Sequence, residues 1–247
     1  MAGHSKWANI QHRKKAQDAK RGKLFTKLIR EITVAARSGD SVDFNPTLRS
    51  AVDKALTANM SRDTIDKAIK RGAGAGEGDA FESVRYEGYG PGGVAIMVDC
   101  LTDNRNRTVA DVRHLFSKHG GNLGTDGSVA YLFSPIGLLL VEPGADEEQV
   151  FEAAIDAGAD EVEPREDGGI EVVTAVESFE ATRQALTDLG CTFEAAELTQ
   201  RPSVYVDLDH DDSLRVLKLM EGLEDLDDVQ HVYGNAEYAE QALAEFA

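Results

Sequence analysis

The sequence has few of the residues that would cross-link a fold, bind a metal or anchor the chain in a membrane. It contains 2 cysteines, 1 tryptophan and 6% aromatic residues. Cys100 and Cys191 form no CxxC motif, which excludes a disulfide scaffold and a cysteine-based zinc site. The longest apolar run, residues 135–141, is far shorter than the roughly 18 residues of a membrane span. We therefore expect a soluble, cytoplasmic protein without a membrane partner.

The sequence also lacks the convergent groups of an enzyme. Its 6 histidines form no HExxH motif and no pair at i,i+4 spacing, and no nucleophile stands beside a base in any recognised motif. Acidic clusters at Glu147–Glu148, Asp211–Asp212 and residues 224–228 are explained by helix starts and exposed turns. The sequence thus predicts a protein that is not an enzyme and that uses no metal and no cofactor.

Positive charge is scarce overall, with 26 Lys and Arg against 44 Asp and Glu and a net charge of −18. The deficit is uneven. Residues 1–76 contain 16 cations and 7 carboxylates, whereas residues 77–247 contain 10 and 37. The field of the whole chain repels nucleic acid, but a basic head that projects from an acidic body can still contact phosphates.

The sequence of residues 1–76, here called the head, predicts three helices. One runs from Lys23 to Arg37 with an apolar face and a cationic face, a second begins at Asn45-Pro46, and a third runs from Ser61 to Gly72. Before them lies a basic tail with one aromatic residue, which suits phosphate contact and base stacking. The alternative, without a binding function, is a solvated tail whose tryptophan packs against the three helices. The candidate nucleic-acid-binding residues here are Lys6, Trp7, His12, Arg13, Lys14, Lys15, Lys20, Arg21, Lys23, Lys27 and Arg30.

The sequence of residues 77–247, here called the body, predicts an α+β fold. The glycine-rich stretch 72–78 is interpreted as a linker. Strands are predicted at 81–87, 94–101 and 128–133, with a helix from Thr108. Residues 136–200 follow the order βαββαβ of a ferredoxin-like unit, and a strand, a helix and a last strand follow up to Tyr233. The predicted domains are a helical domain at 1–76, an α/β domain at 77–134 plus 202–247, and a ferredoxin-like domain inserted at 135–201.

Two body motifs are further candidates. Arg105 and Arg107 lie in the segment 102–108 between a strand and a helix, where they either bind an anion or pair with nearby carboxylates. The glycine-rich segment 86–93 either makes a hairpin turn or lets a partner approach its backbone. The residues offered for that backbone contact are Tyr89, Gly90, Gly92 and Gly93.

Together, residues 2–14, the Tyr-Glu-Gly-Tyr-Gly-Pro-Gly-Gly segment at 86–93 and the Thr-Asp-Asn-Arg-Asn-Arg-Thr segment at 102–108 resemble the YebC/PmpR family over essentially the whole chain. The resemblance implies three domains, the third inserted in the second. It also implies a cytoplasmic, DNA-binding probable transcriptional regulator. Some members resemble translation factors instead, including a mitochondrial activator of cytochrome oxidase synthesis and proteins acting on ribosomes slowed at proline runs. Nucleic acid is therefore the expected partner, with DNA favoured and ribosomal RNA or the ribosome as the alternative.

Overall fold

The computed structural model describes residues 21–74 and 81–246, without the side chain of Arg21. The helices of these residues are α1 Arg21–Ala35, α2 Pro46–Thr57, α3 Arg62–Ala73, α4 Arg105–Lys118, α5 Glu147–Asp156, α6 Phe179–Asp188, α7 His210–Glu224 and α8 Glu240–Phe246. The strands are β1 Glu82–Tyr89, β2 Ala95–Thr102, β3 Asn122–Leu123, β4 Phe133–Val141, β5 Ala159–Pro164, β6 Ile170–Thr174, β7 Phe193–Pro202, β8 Val206–Asp207, β9 Val229–Gly234 and β10 Ala236–Glu237.

The three helices of the head begin where their capping residues predict. The side chain of Asn45 accepts the N–H of Leu48 at 3.0 Å, which caps α2, and Ser61 caps α3 through the N–H of Thr64. The helices enclose an apolar core of their own, in which fully buried side chains meet across α1 and α2. Its buried members are Leu28, Ile32, Ala35, Ala36, Leu48, Ala51, Ala55, Met60, Ile65 and Ala68.

The body contains an antiparallel sheet in the order β3-β1-β2-β9. Helices α4 and α7 cover this sheet, and the apolar residues that they bury include Val112, Phe116, Val216 and Leu219. The chain divides into two compact units, of which one combines the residues up to Ala130 with those from Tyr205 onward. The head and this sheet therefore belong to one unit.

The second unit, Tyr131–Val204, is the predicted ferredoxin-like unit. Its antiparallel sheet has the order β5-β6-β4-β7, in which the first and third strands of the unit are neighbours. Helices α5 and α6 pack against the sheet around Leu139, Val172 and Leu186, all fully buried. The insertion of this unit into a second α/β fold is confirmed, while the domain boundary at residue 76 stays a prediction.

Several expectations about elements were wrong. Strand β9 is not the last element, because β10 and helix α8 follow it. The helix predicted from Thr108 begins at Arg105, because Asn104 rather than Thr108 caps it. The strand predicted at 128–133 is absent, because the amides of Val129 and Ala130 bind a carboxylate and a 3₁₀ turn at Ala130–Leu132 leads into β4. Helix α3 runs to Ala73, one residue beyond the predicted end, and residues 75–78 of the proposed linker lie outside the described residues.

Candidate nucleic-acid interface

The cationic face of α1 lies against the acidic body. Lys27 Nζ donates to the main-chain oxygen of Glu224 at 2.8 Å, and Lys23 Nζ donates to that of Asp225 at 3.0 Å. These oxygens end helix α7, where the helix dipole is negative and favours a cation. Burial lowers the pKa of Lys27, against the raising effect of Glu224 and Asp225. The face predicted for phosphates thus has partners inside the chain.

Asp228 is the centre of this contact. Its carboxylate, in a residue only 6% exposed, accepts from Arg30 Nη1 and from Arg107 Nη2, each at 2.8 Å. The hydroxyls of Thr108 and Thr102 lie 2.7 and 3.3 Å away. Burial raises the pKa of Asp228, but hydrogen bonds from Arg107 and Thr108 and the charge of Arg30 hold it below the ordinary 3.8. One carboxylate therefore joins α1, α4 and β2.

The interpretation of residues 224–228 as exposed turn residues was wrong for Asp228. A buried carboxylate needs partners that supply charge and hydrogen bonds, and here Arg30 and Arg107 supply both. The guanidinium of Arg30 also stacks 5.4 Å from the ring centroid of Phe81, at the start of the body. The other two acidic clusters lie at the starts of α5 and α7, as predicted.

Arg105 and Arg107 lie in the first turn of α4 rather than in a loop. Arg107 is held between Asp228 and Asp103, and the hydrogen bonds to these carboxylates raise its pKa. Arg105 has only a long contact of 3.7 Å to Glu82, and 59% of its side chain is exposed. Of the two predicted residues, Arg105 is therefore the one available to a partner, whereas Arg107 also supports the fold.

The glycine-rich segment 86–93 forms the hairpin turn between β1 and β2. A 3₁₀ turn at Pro91–Gly93 closes it, with the N–H of Gly90 donating to Val94 at 2.8 Å. Gly92 has φ +67°, and a Cβ there would overlap Leu208, so both conformation and space require glycine. Gly92 and Gly93 are exposed, Tyr89 is 37% exposed and Gly90 is buried. Contact of a partner with this backbone remains a prediction.

Glu87, inside the same motif, is a residue whose role the sequence did not indicate. It is 5% exposed, and its carboxylate accepts the N–H groups of Gly127, Val129 and Ala130 at 2.7–2.8 Å. Burial raises its pKa, but these three hydrogen bonds together hold the pKa below the ordinary 4.5. Alternation along β1 places Glu87 on the same face as the exposed Arg85 and Tyr89, so neither its burial nor its partners could be predicted from the sequence.

Comparison with family models identifies the family of the chain. Residues 5–75 match the model described as the TACO1/YebC protein N-terminal domain, and residues 81–236 match the TACO1/YebC second and third domain. The chain belongs to the TACO1/YebC family. The gap between the two matched ranges, residues 76–80, overlaps the stretch 72–78 predicted as a linker. Family membership agrees with the predicted helical first domain and with the two α/β domains that follow it.

Relatives of this TACO1/YebC protein are named probable transcriptional regulatory proteins. One from Methylococcus capsulatus is 65% identical over 99% of both chains, and one from Coxiella burnetii is 60% identical over 98% of this chain and all of that protein. A crystal structure of a conserved hypothetical protein from Aquifex aeolicus, 49% identical, superposes with a TM-score of 0.79 over 90% of this chain and 93% of that one. The names of these relatives indicate a regulator.

Several predicted site residues of this family member lie outside the described residues. They are Lys6, Trp7, His12, Arg13, Lys14, Lys15 and Lys20, together with the side chain of Arg21. Within residues 21–74 and 81–246, no group of His, Cys, Asp or Glu is arranged to hold a metal ion. No helix in those same ranges has both the length and the apolar character of a membrane span.

Proposed function

We propose that this protein is a non-enzymatic, nucleic-acid-binding regulator of gene expression that works in the cytoplasm, with DNA as its target. The observation that carries the proposal is the division of charge, because 16 of the 26 cations lie in the first 76 residues. Lys and Arg displace counterions from phosphates, so a basic segment supplies affinity that does not depend on base sequence. The names of the relatives support the same reading.

The internal contacts of α1 rank the candidate residues. Lys27 and Arg30 would have to exchange their partners at Glu224 and Asp228 for phosphates. Lys23 is 43% exposed and can contact a phosphate while it stays near Asp225. We therefore place the main contact on the cations of residues 6–21, with Lys23 beside them, and assign Lys27 and Arg30 a secondary part.

The test is the salt dependence of binding. Replacing Arg13, Lys14 and Lys15 together by alanine should flatten the slope of log K against log salt concentration by about 3 units for duplex DNA, at roughly 0.9 per phosphate contact. Fluorescence anisotropy of a labelled duplex, measured over a series of salt concentrations, gives the slope. A duplex of unrelated sequence should show the same change, because phosphate contacts carry no base information.

The matched control replaces three cations of α3 that are not candidates, Arg62, Lys67 and Lys70, by alanine. Both triple variants lower the net charge of the head equally, and Lys67 in the control is paired with Asp63. The slope of the control should stay within about 0.5 of the wild type. If the two variants behave alike, or if the wild-type complex is insensitive to salt, the tail is not the binding site.

Ribosome-directed control of translation is the second candidate, and the exposure of Arg105 favours it. A regulator that acts on DNA through its head needs no largely exposed arginine on the body. Arg105→Ala should weaken binding to a structured RNA hairpin about tenfold and change binding to duplex DNA by less than about twofold, because guanidinium groups suit splayed bases and irregular phosphates. Parallel titrations of one protein preparation with the two probes measure both values.

Arg183→Ala is the control for that experiment, since it removes a body arginine that pairs with Glu180 within its own helix. Its effect on both probes should be small. A loss confined to duplex DNA in the Arg105 variant would favour transcription over translation. Arg107→Ala is not an equivalent test, because it also removes a partner of the buried Asp228.

A further inference from the structure

The cationic face that begins on α1 is occupied by oxygen atoms of the body. Helical periodicity from Lys23 to Arg37 places four cations on this face: Lys23, Lys27, Arg30 and Arg37. The first three donate to residues 224–228 at the end of α7, and Arg37 Nη1 donates to the main-chain oxygen of Phe81 at 2.9 Å. All four cations therefore have partners within the chain, and this set of interactions is here called the head–body contact.

The partners in the head–body contact differ in charge. Three of the four cations donate to main-chain oxygens, which carry no net charge. Lys23 also lies 3.5 Å from the carboxylate of Asp225, in an ion pair whose members are 43% and 37% exposed. Asp228, by contrast, offers Arg30 a buried carboxylate at 2.8 Å. An ionised phosphate forms stronger hydrogen bonds with Lys and Arg than a neutral carbonyl does, so Asp228 is the partner that a phosphate displaces with most difficulty.

The head and the body have separate apolar cores. In residues 21–74 and 81–246, the buried apolar cluster of the head contains no residue of the body, and the cluster around the sheet β3-β1-β2-β9 contains no residue of the head. The groups of a polar contact regain their hydration when it opens, so opening costs less than the exposure of an apolar interface. Separation of the head from α7 therefore leaves both cores intact.

We propose that the head–body contact is autoinhibitory, because the body and the phosphates of a nucleic acid compete for the same cations of α1. In the structure the body holds this face, so nucleic acid binds first to the cations of residues 6–21. Separation of the head from α7 then adds Lys27 and Arg30 to the binding surface and releases Lys23 from Asp225. Binding of nucleic acid and closure of the contact oppose each other, since one cation cannot serve both. This inference rests on the proposed function and adds a regulated part to it.

The experiment compares Asp228→Asn with Asp227→Asn in the full chain. Both variants remove one negative charge beside α1, but among the described residues the carboxylate of Asp227 makes no hydrogen bond or ion pair with α1. Asp228→Asn should bind duplex DNA about tenfold more tightly than the wild type, and its slope of log K against log salt concentration should steepen by about 2, at roughly 0.9 per phosphate contact. Asp227→Asn should stay within about twofold of the wild type, because a single exposed charge acts through a screened field.

A second substitution separates release of the face from a change of net charge. In the wild type, Lys27 is held by the main-chain oxygen of Glu224, so Lys27→Gln should change the slope by less than about 0.5. In the Asp228→Asn background, Lys27→Gln should flatten the slope by about 1, because the released amine contacts a phosphate. Equal effects in the two backgrounds would show that Asp228 does not control access to this face, and the proposal would be wrong.

Spin labels measure the opening without any change at Asp228. Asp53→Cys on α2 and Asp111→Cys on α4 place labels at two exposed positions, and Cys191→Ser leaves the buried Cys100 as the native cysteine. Saturating duplex DNA should broaden the distribution of distances between the labels, because the head separates from α7. An unchanged distribution at saturation would mean that DNA binds while the head–body contact stays closed, which contradicts the proposal.

The outcomes also separate this inference from the proposed function. If Asp228→Asn binds like Asp227→Asn while the Arg13, Lys14 and Lys15 variant loses affinity, autoinhibition is wrong and the proposed function stands. A gain confined to an RNA hairpin, titrated in parallel, would support the competition and make RNA the nucleic acid that opens the contact. If neither the wild type nor Asp228→Asn binds either probe, the proposed function is wrong, and this inference with it.

Discussion

Replacing Asp228 by asparagine should lower the free energy of unfolding by about 3 kcal/mol at neutral pH. The substitution keeps the shape of the side chain but removes the charge that faces Arg30 and Arg107. Only 17% of the Arg30 side chain is exposed, so water cannot replace the lost carboxylate there. Arg107 is 46% exposed and recovers part of its hydration, which limits the loss to the lower part of the range for broken buried pairs.

Urea unfolding followed by circular dichroism measures this change, with Asp227→Asn as the matched control. Asp227 is the exposed neighbour and carries the same charge, but Arg30 contacts only its main-chain oxygen, which the substitution leaves in place. The control should lie within about 0.5 kcal/mol of the wild type. Equal stabilities of the two variants would mean that Asp228 does not hold the head on the body.

The pH dependence of stability gives an independent check of the same residue. The pKa of Asp228 is lowered in the folded chain, so this group stabilises the fold above its ordinary pKa of 3.8 and the stabilisation is lost as the pH falls through the lower, folded value. The wild type should therefore lose stability more steeply than the asparagine variant when the pH falls below about 4. A parallel loss in both proteins would assign the acid sensitivity to other carboxylates.

Local patterns predicted most of the fold. Caps at Asn45 and Ser61, alternation along the strands and the βαββαβ order are properties of neighbouring residues, so they can be read from the chain. The ends of helices and strands were predicted less accurately. The helix after β2 starts three residues before the predicted position, because Asn104 caps it through the N–H of Arg107 while the hydroxyl of Thr108 donates to Asp228.

The internal partners of the candidate site could not be predicted in the same way. Asp228 is 198 residues from Arg30 and 121 from Arg107 along the chain. The sequence shows an acidic segment at residues 224–228, near the end of a helix. It does not show that Asp228 is buried against Arg30 and Arg107, which lie far away along the chain. Helical periodicity therefore predicted the cationic face of α1. Its contact with the end of α7 could be identified only in the structure.

Replacing Glu87 by alanine should lower the free energy of unfolding by about 4 kcal/mol, since each buried N–H left without an acceptor costs roughly 1–3 kcal/mol. Three amides lose their acceptor together: that of Val129, which is buried, and those of Gly127 and Ala130, which are partly buried and contribute less. Glu87→Gln should cost about half as much, because the amide oxygen still accepts while the amide nitrogen faces a donor. Urea unfolding of the two variants measures both losses.

Hydrogen exchange tests whether the loss comes from these three amides. Under native conditions the amides of residues 127–130 should exchange faster in Glu87→Ala, whereas those paired between β2 and β9 should be protected as in the wild type. Glu82→Ala, at the exposed start of β1, is the control and should leave both sets unchanged. Tyr89 donates its hydroxyl to the main-chain oxygen of Ser128 at 3.0 Å, and release of this loop should also weaken that hydrogen bond. Unchanged exchange at Val129 and Ala130 would show that Glu87 does not anchor the loop.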